Sequence, residues 1–295
     1  MVNKFTIMTD VNTDVDPEYA KTEGIVILPQ YYHFSDGIIY GDEINMESEL
    51  FYQRLSAGEQ SLSVGCNPAR VTELFEIELS KGNDIFCVIF SSRLSGSYNT
   101  ACIVARDLLE KYRERKIIVI DSLNASAGAG LMLHMARNMQ KSGCSMEEIR
   151  DCVEKKKKYF QAMFVVDDLQ YLVRGGRLSS FSGKVGTMLD IKPILYLTDG
   201  EIVAIRKKRT RKRAVEELID MMKKMNPDPE YFCVVHTNNY ESGVELAERV
   251  GKELGIGHPI EKIVEINHTI GTHTGPNALG FGFLSEKTAE EAELI

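Results

Sequence analysis

The chain has 295 residues, a formal net charge of −8, and ordinary globular proportions of hydrophobic (43%) and charged (26%) residues. This length favours two domains, and the composition argues against disorder and against a fibrous repeat. The negative charge disfavours a protein that coats nucleic acid or an anionic membrane, because both require a positive field.

The sequence also carries no sign of a membrane anchor or of an oxidising compartment. Its apolar runs, such as residues 85–90, are too short to span a bilayer, and the first strand-like run begins without a signal peptide. The six cysteines form no CxxC pair, which favours buried thiols over disulfides or a metal site. We therefore expect a cytoplasmic protein with no stable membrane insertion, no metal and no cofactor.

The first half of the chain alternates β-branched runs with helical patterns, which is typical of a parallel α/β sheet. Strands are predicted at residues 5–8, 85–90 and 117–120, with helices from Pro17, Ser97 and Ser126. A capping box formed by Ser145 and Glu148 opens a further helix that runs to residue 160. We place the domain boundary near its end, so that the predicted domains are residues 1–158 and 159–295.

The second half predicts a mixed sheet with helices on one side, an α+β arrangement. Asp199 and Gly200 lie between two apolar runs and predict a hairpin. The other predicted strands are at 162–166, 231–236 and 260–266, and the helices are at 211–224 and 241–254.

Residues 91–98, Ser-Ser-Arg-Leu-Ser-Gly-Ser-Tyr, contain four serines and a glycine between a strand and a helix. We call this segment the serine loop. Free amides and hydroxyls at a helix N-terminus, after a parallel strand, form a natural anion site. A plain helix cap with spare serines is the alternative interpretation.

Two further segments suggest ligand or partner contacts. His273 lies between two threonines in a predicted loop over 271–276, where it could donate to a ligand oxygen or simply lie on the surface. Seven of the eight residues in the basic run 206–213 are cationic. The run lacks aromatic residues for base stacking, so we favour a docking surface or one ligand-facing arginine over nucleic-acid binding.

The order and spacing of these segments resemble the DegV family of bacterial fatty-acid-binding proteins. The matching pieces extend nearly from end to end: Thr9-Asp10, Ser91–Tyr98, Val119–Ser122 with Gly128 and Gly130, Leu172–Leu178, Ile191–Leu195, Arg209–Ala214 and Gly271–Gly280. Two positions differ, because Val11 and Val64 stand where the family carries hydroxyls, although Ser63 retains a hydroxyl where the family has threonine.

The resemblance implies a long-chain fatty acid held at the domain interface and presented to a separate fatty acid kinase, which forms an acyl phosphate for phospholipid synthesis. The acyl tail is expected in a tunnel within residues 1–158. No catalytic residue is implied. The residues expected to bind the carboxylate are Ser63, Ser92, Ser95, Arg209 and His273, supported by Asp10, Gly96, Thr272 and Thr274.

Two other functions remain open from the residues alone. A hydrolase would pair Ser92 or Ser95 with His273, because a serine nucleophile needs a base within hydrogen-bond reach. A nucleic-acid binder would use the basic run 206–213.

Overall fold

The computed structural model describes residues 4–178, 191–256, 260 and 262–295. The strands are β1 (Phe5–Asp10), β2 (Val26–Leu28), β3 (Tyr31–His33), β4 (Ile39–Tyr40), β5 (Leu62–Val64), β6 (Asp84–Ile89), β7 (Ile117–Asp121), β8 (Phe160–Val165), β9 (Lys192–Thr198), β10 (Glu201–Lys208), β11 (Pro227–His236), β12 (Ile263–Glu265) and β13 (Leu279–Ser285). The helices are α1 (Pro17–Glu23), α2 (Ser48–Ser56), α3 (Pro68–Ser80), α4 (Ser97–Lys111), α5 (Ser126–Lys141), α6 (Met146–Lys156), α7 (Gln170–Arg174), α8 (Arg211–Lys224), α9 (Tyr240–Glu253) and α10 (His268–Thr274). None of the helices in these ranges has the length and apolar character that crossing a bilayer requires.

The first half is built on a four-stranded sheet in the order β2-β1-β6-β7, and every pairing in it is parallel. This confirms the predicted α/β architecture. The predicted capping box at Ser145 is present, but the helix that it opens ends at Lys156, and a 3-10 turn leads into β8. The serine loop follows β6 at the carboxyl edge of the sheet, where open α/β sheets bind ligands.

The second half is built on a mixed six-stranded sheet in the order β10-β9-β8-β13-β11-β12. Its pairings are antiparallel except that between β11 and β12, so the predicted mixed sheet is confirmed. The predicted hairpin joins β9 to β10. Asp199 and Gly200 both have positive φ values, 48° and 80°, as the favoured two-residue hairpin turn requires.

Helices cover both faces of the mixed sheet, whereas the sequence predicts helices on one side. The helices α8 and α9 pack on one face, and α5 from the first half packs on the other, against β8, β11 and β13. Gly282 in β13 permits this contact. A Cβ atom there would lie only 2.6 Å from the backbone nitrogen of Gly128 and 2.8 Å from the Cβ of Ala127. The helix α5 therefore serves both halves.

A small antiparallel sheet, β4-β3-β5, covers the region between the two halves and is absent from the prediction. We call it the small sheet. Its inner face and the helix α2 enclose an aromatic cluster that contains Tyr32, Tyr40, Phe51 and Tyr52. His268 fastens this cluster to α10. Its ring stacks on Phe51, and its Nδ1 and Nε2 lie 2.9 Å from Tyr32 Oη and Ser48 Oγ.

Two buried carboxylates hold the loops at the carboxyl edge of the parallel sheet. Asp10 accepts hydrogen bonds from the backbone N–H groups of Asn12 and Phe90, both at 2.8 Å. Asp14 accepts from the Asn267 backbone N–H at 2.9 Å and from its Nδ2 at 2.7 Å, which links the first half to the cap of α10. Burial raises the pKa of Asp10 to about 7 and that of Asp14 to about 6.

These shifts predict a pH dependence of stability. Because the folded pKa of Asp10 lies above its ordinary value of 3.8, its contribution to the free energy of unfolding is lost as the pH rises from about 4 to about 7. The variant Asp10→Asn removes that titration. Urea unfolding at pH 5, 6 and 7 should show the stability of the native protein falling relative to the variant by roughly 1 kcal/mol per pH unit. Parallel pH profiles for the two proteins would contradict this assignment.

Candidate functional site

An apolar cavity lies where the carboxyl edge of the parallel sheet meets the inner face of the mixed sheet. Its apolar wall draws on both halves of the chain: Phe90, Leu94, Ala125 and Ala127 from the first, and Ala162, Phe164, Leu172, Leu197, Ile202, Val235, Ile266 and Ile270 from the second. From the sequence we expected a tunnel within residues 1–158. The cavity instead lies between the halves, because the helix α5 brings both sheets to it.

Polar side chains cluster where this cavity meets a neighbouring recess. Ser63, Arg177 and His273 line both spaces. Ser95 and Gly96 line the cavity alone, whereas the recess adds mainly polar residues, among them Gln60, Ser61, Arg174 and Thr272. The shared residues therefore separate an apolar interior from a polar entrance.

Ser63 and His273 form the central contact of this cluster. The Ser63 Oγ lies 2.7 Å from His273 Nε2, although 210 positions separate the two residues. Ser63 is the middle residue of β5 and pairs with Tyr32, so its side chain shares the inner face of the small sheet. His273 lies in the last turn of α10, and the predicted loop over 271–276 is wrong in this respect. The cap at Asn267, which accepts from the Thr269 and Ile270 amides, begins that helix.

The other ring nitrogen of His273 is buried and has no hydrogen-bond partner among the described residues. It faces Gly175, where a Cβ atom would lie 2.0 Å from Nδ1, so only glycine fits there. Burial, with a smaller effect from the Arg177 charge, lowers the pKa of His273 to about 4. The imidazole is therefore neutral at physiological pH.

The serine loop contributes Ser95 at the N-terminus of α4. Its Oγ lies 2.9 Å from Ser97 Oγ and accepts from the Ser97 backbone N–H at 3.2 Å. The Ser97 hydroxyl in turn accepts from the Cys66 N–H at 3.0 Å, which ties the loop to the segment after β5. These contacts hold Ser95 and Ser63 on neighbouring segments that both line the cavity.

Among the described residues, Arg177 is the arginine that lines the cavity, and it was not predicted from the sequence to bind the ligand. Its Nε donates to the Leu94 carbonyl at 3.0 Å and its Nη1 to the Gly175 carbonyl, which aligns the guanidinium with the serine loop. Burial lowers the pKa of Arg177. The glycine-rich run Arg174-Gly175-Gly176-Arg177 is the sequence feature that could have indicated it. The sequence does not show, however, that Arg177 rather than the predicted Arg209 reaches the Leu94 carbonyl.

Of the other residues predicted to bind the ligand, some line the cavity and others lie outside it. Arg209 is exposed, and neither it nor Ser92 is among the residues that line the cavity; the Ser92 backbone N–H donates to Asp121. Thr274 lines the cavity, whereas Thr272 lines the recess and contacts Ser61. Asp10 lies behind the cavity, where it orders the loops described above.

The two valines that replace family hydroxyls are also outside the cavity lining. Val64 pairs with Tyr31 on the outer face of the small sheet, opposite to the face of Ser63. Val11 begins a 3-10 turn, and its neighbour Asn12 lines the cavity instead. The altered positions therefore leave the polar cluster itself intact.

The geometry of the cluster suits binding better than hydrolysis. His273 contacts Ser63 rather than Ser92 or Ser95, and no carboxylate orients its Nδ1 among the described residues. A base with a pKa of about 4 is weak at neutral pH. In the described parts of the chain, no group of three or more histidine, cysteine or acidic residues is placed to hold a metal ion.

The basic run is partly neutralised within the molecule. Lys208 pairs with Glu217 at 2.6 Å, and Arg211 contacts Asp167 at 3.2 Å and the Asn277 carbonyl at 2.7 Å. Arg209, Lys212 and Arg213 are exposed at the end of β10 and the start of α8. The run therefore presents fewer available cations than its composition indicates.

Comparisons with known proteins identify the family. The profile described as "Uncharacterised protein, DegV family" matches residues 4–286. A DegV domain-containing protein of Clostridium perfringens is 34% identical, covering 97% of this chain and 99% of the relative. A Thermotoga maritima protein described as "Fatty acid-binding protein" is 31% identical, covering 95% of this chain and 97% of the relative. The crystal structure of a DegV lipid-binding protein from Thermotoga maritima superposes with a TM-score of 0.81 at 27% identity, covering 97% of this chain and 99% of the other. The chain therefore belongs to the DegV family.

Proposed function

We propose that this protein binds one long-chain fatty acid in the cavity between its two halves. The observation that carries the proposal is the pairing of a polar cluster, Ser63, Ser95, Arg177 and His273, with a continuous apolar wall behind it. A fatty acid has the same division into one acceptor group and one apolar chain. The description of the Thermotoga maritima relative supports this ligand class.

The carboxylate would lie at the polar cluster because it only accepts hydrogen bonds and needs donors. When His273 carries its proton on Nε2, it donates to Ser63 Oγ, and the Ser63 hydroxyl proton is free to reach a carboxylate oxygen. The Ser95 hydroxyl adds a second donor. The nearby Arg177 guanidinium supplies a positive charge within a poorly hydrated site.

The tail would fill the apolar interior. Each buried CH₂ group contributes about 0.8 kcal/mol, so a long chain offers on the order of 10 kcal/mol before the costs of binding. This gain exceeds what the head-group contacts supply, and it favours a carrier that retains its ligand.

A carrier of this kind would present the carboxylate to a separate kinase in the cytoplasm for acyl phosphate formation. Ser63, Arg177 and His273 also line the recess, so a carboxylate held there would have an oxygen close to the polar entrance. We assign no catalytic residue to this chain. The exposed cations of the basic run would help to orient the kinase.

The ligand class can be tested by native mass spectrometry of the purified recombinant protein, followed by denaturation and analysis of the released molecule. We expect a mass increment of one fatty acid. A protein that is empty and also ignores added long-chain fatty acids would contradict the proposal.

Four single variants test the head-group contacts. Ser63→Ala and Ser95→Ala each remove a hydroxyl donor to a charged acceptor, so the Kd for a long-chain fatty acid should rise about tenfold or more. Ser92→Ala and Arg209→Gln are matched controls, because neither residue lines the cavity, and their Kd should stay within about twofold of the native value. A larger rise in Kd for the two controls than for the first pair would refute the assigned site.

The role of the basic run can be tested separately. Charge reversal by Arg209→Glu and Arg213→Glu should slow acyl phosphate formation by the kinase, because complementary charge accelerates association. Fatty acid affinity should not change. An unchanged phosphorylation rate at low salt would show that the basic run takes no part in binding the kinase.

A further inference from the structure

The outer face of the small sheet is unusually apolar for an exposed surface. Among the described residues, eleven large apolar side chains are exposed, and six of them lie between residues 38 and 64. Contiguous exposed apolar patches mark interaction sites, whereas scattered single residues are ordinary. The concentration in one short segment therefore calls for a specific explanation.

Strand register shows which of these side chains share a face. His33 pairs with Ile39 on one side and with Leu62 on the other, and Tyr31 pairs with Val64. Directly opposed residues in antiparallel strands project to the same side. Ile39, Leu62 and Val64 are 61%, 59% and 48% exposed, so they form one apolar face.

The rim of this face is acidic. Residues 31–66 contain six acidic residues; Arg54 pairs with Asp36 and Glu59, and Arg70 pairs with Asp42, whereas Glu43, Glu47 and Glu49 are exposed. Such a rim repels anionic phospholipid surfaces, and it would also oppose the pairing of two identical faces. It complements a protein surface that has an apolar centre and cationic borders.

The same strand connects this face to the polar cluster. Ser63 lies between Leu62 and Val64 but projects inward, where its hydroxyl meets His273. His268 fastens the small sheet to α10, the helix that also carries His273. A protein bound to the outer face would therefore rest on the strand that carries Ser63, with the small sheet lying between it and α10.

We infer that the outer face of the small sheet is a docking surface for a protein partner with an apolar, basic-rimmed contact surface. The inference rests on the proposed function, under which this partner is the kinase that must approach the carboxylate beside this sheet. The acidic rim and the basic run 206–213 would then fix the orientation of the kinase through two contacts of opposite charge.

The test compares two double variants in binding to the purified kinase of the source organism. Ile39→Thr with Val64→Thr removes apolar area from the face and keeps β-branched residues in the strands. Ile77→Gln with Ile103→Gln removes two apolar side chains of similar exposure, 40% and 51%, from α3 and α4. We expect the Kd for the kinase to rise at least tenfold in the first variant, to stay unchanged in the second, and to increase with salt for the native protein.

Fatty acid content, measured on the same samples by native mass spectrometry, separates this inference from the proposed function. A native protein without fatty acid would defeat both. Normal fatty acid content with equal kinase affinity in both variants would overturn the docking surface alone. The docking surface would also be overturned if the first variant lost binding only to phosphatidylcholine or phosphatidylglycerol vesicles. The same conclusion would follow if light scattering showed that the two substitutions only dissociated a dimer of this protein.

Discussion

The close approach of α5 to β13 is the constraint on which the rest of the structure depends. Gly282 leaves no side chain between the strand and the first turn of α5, so the helix reaches the backbone of the mixed sheet. The same helix packs against the parallel sheet through its other side chains. One helix therefore sets the separation of the two sheets, and with it the position of the cavity beside its N-terminus.

Much of the fold could be predicted because its signals are local. The alternation of strands and helices, the capping box at Ser145 and the Asp199-Gly200 turn each act through neighbouring residues. The small sheet could not be predicted, because its strands have two or three residues and are stabilised by aromatic packing beneath them. The helix α10 is rich in threonine and glycine, so it depends on its asparagine cap and on tertiary burial rather than on helix propensity.

The candidate site shows the same division between local and long-range information. The serine loop was recognisable because a strand, hydroxyls and a helix start follow one another along the chain. The contact between Ser63 and His273 joins residues 210 positions apart, and only the folded chain shows that it exists. Arg177 was missed for the same reason, since its bond to the Leu94 carbonyl spans 83 positions.

The fastening of the small sheet has a consequence for timing. His268 uses both ring nitrogens, and burial lowers the pKa of this histidine to about 4, so mild acidification leaves the attachment unchanged. Ser63 stands on this sheet between the apolar interior and the polar entrance, so local opening of the sheet would widen the passage between them. The fastening would then affect how fast an occupant exchanges more than the equilibrium strength of its contacts with the wall.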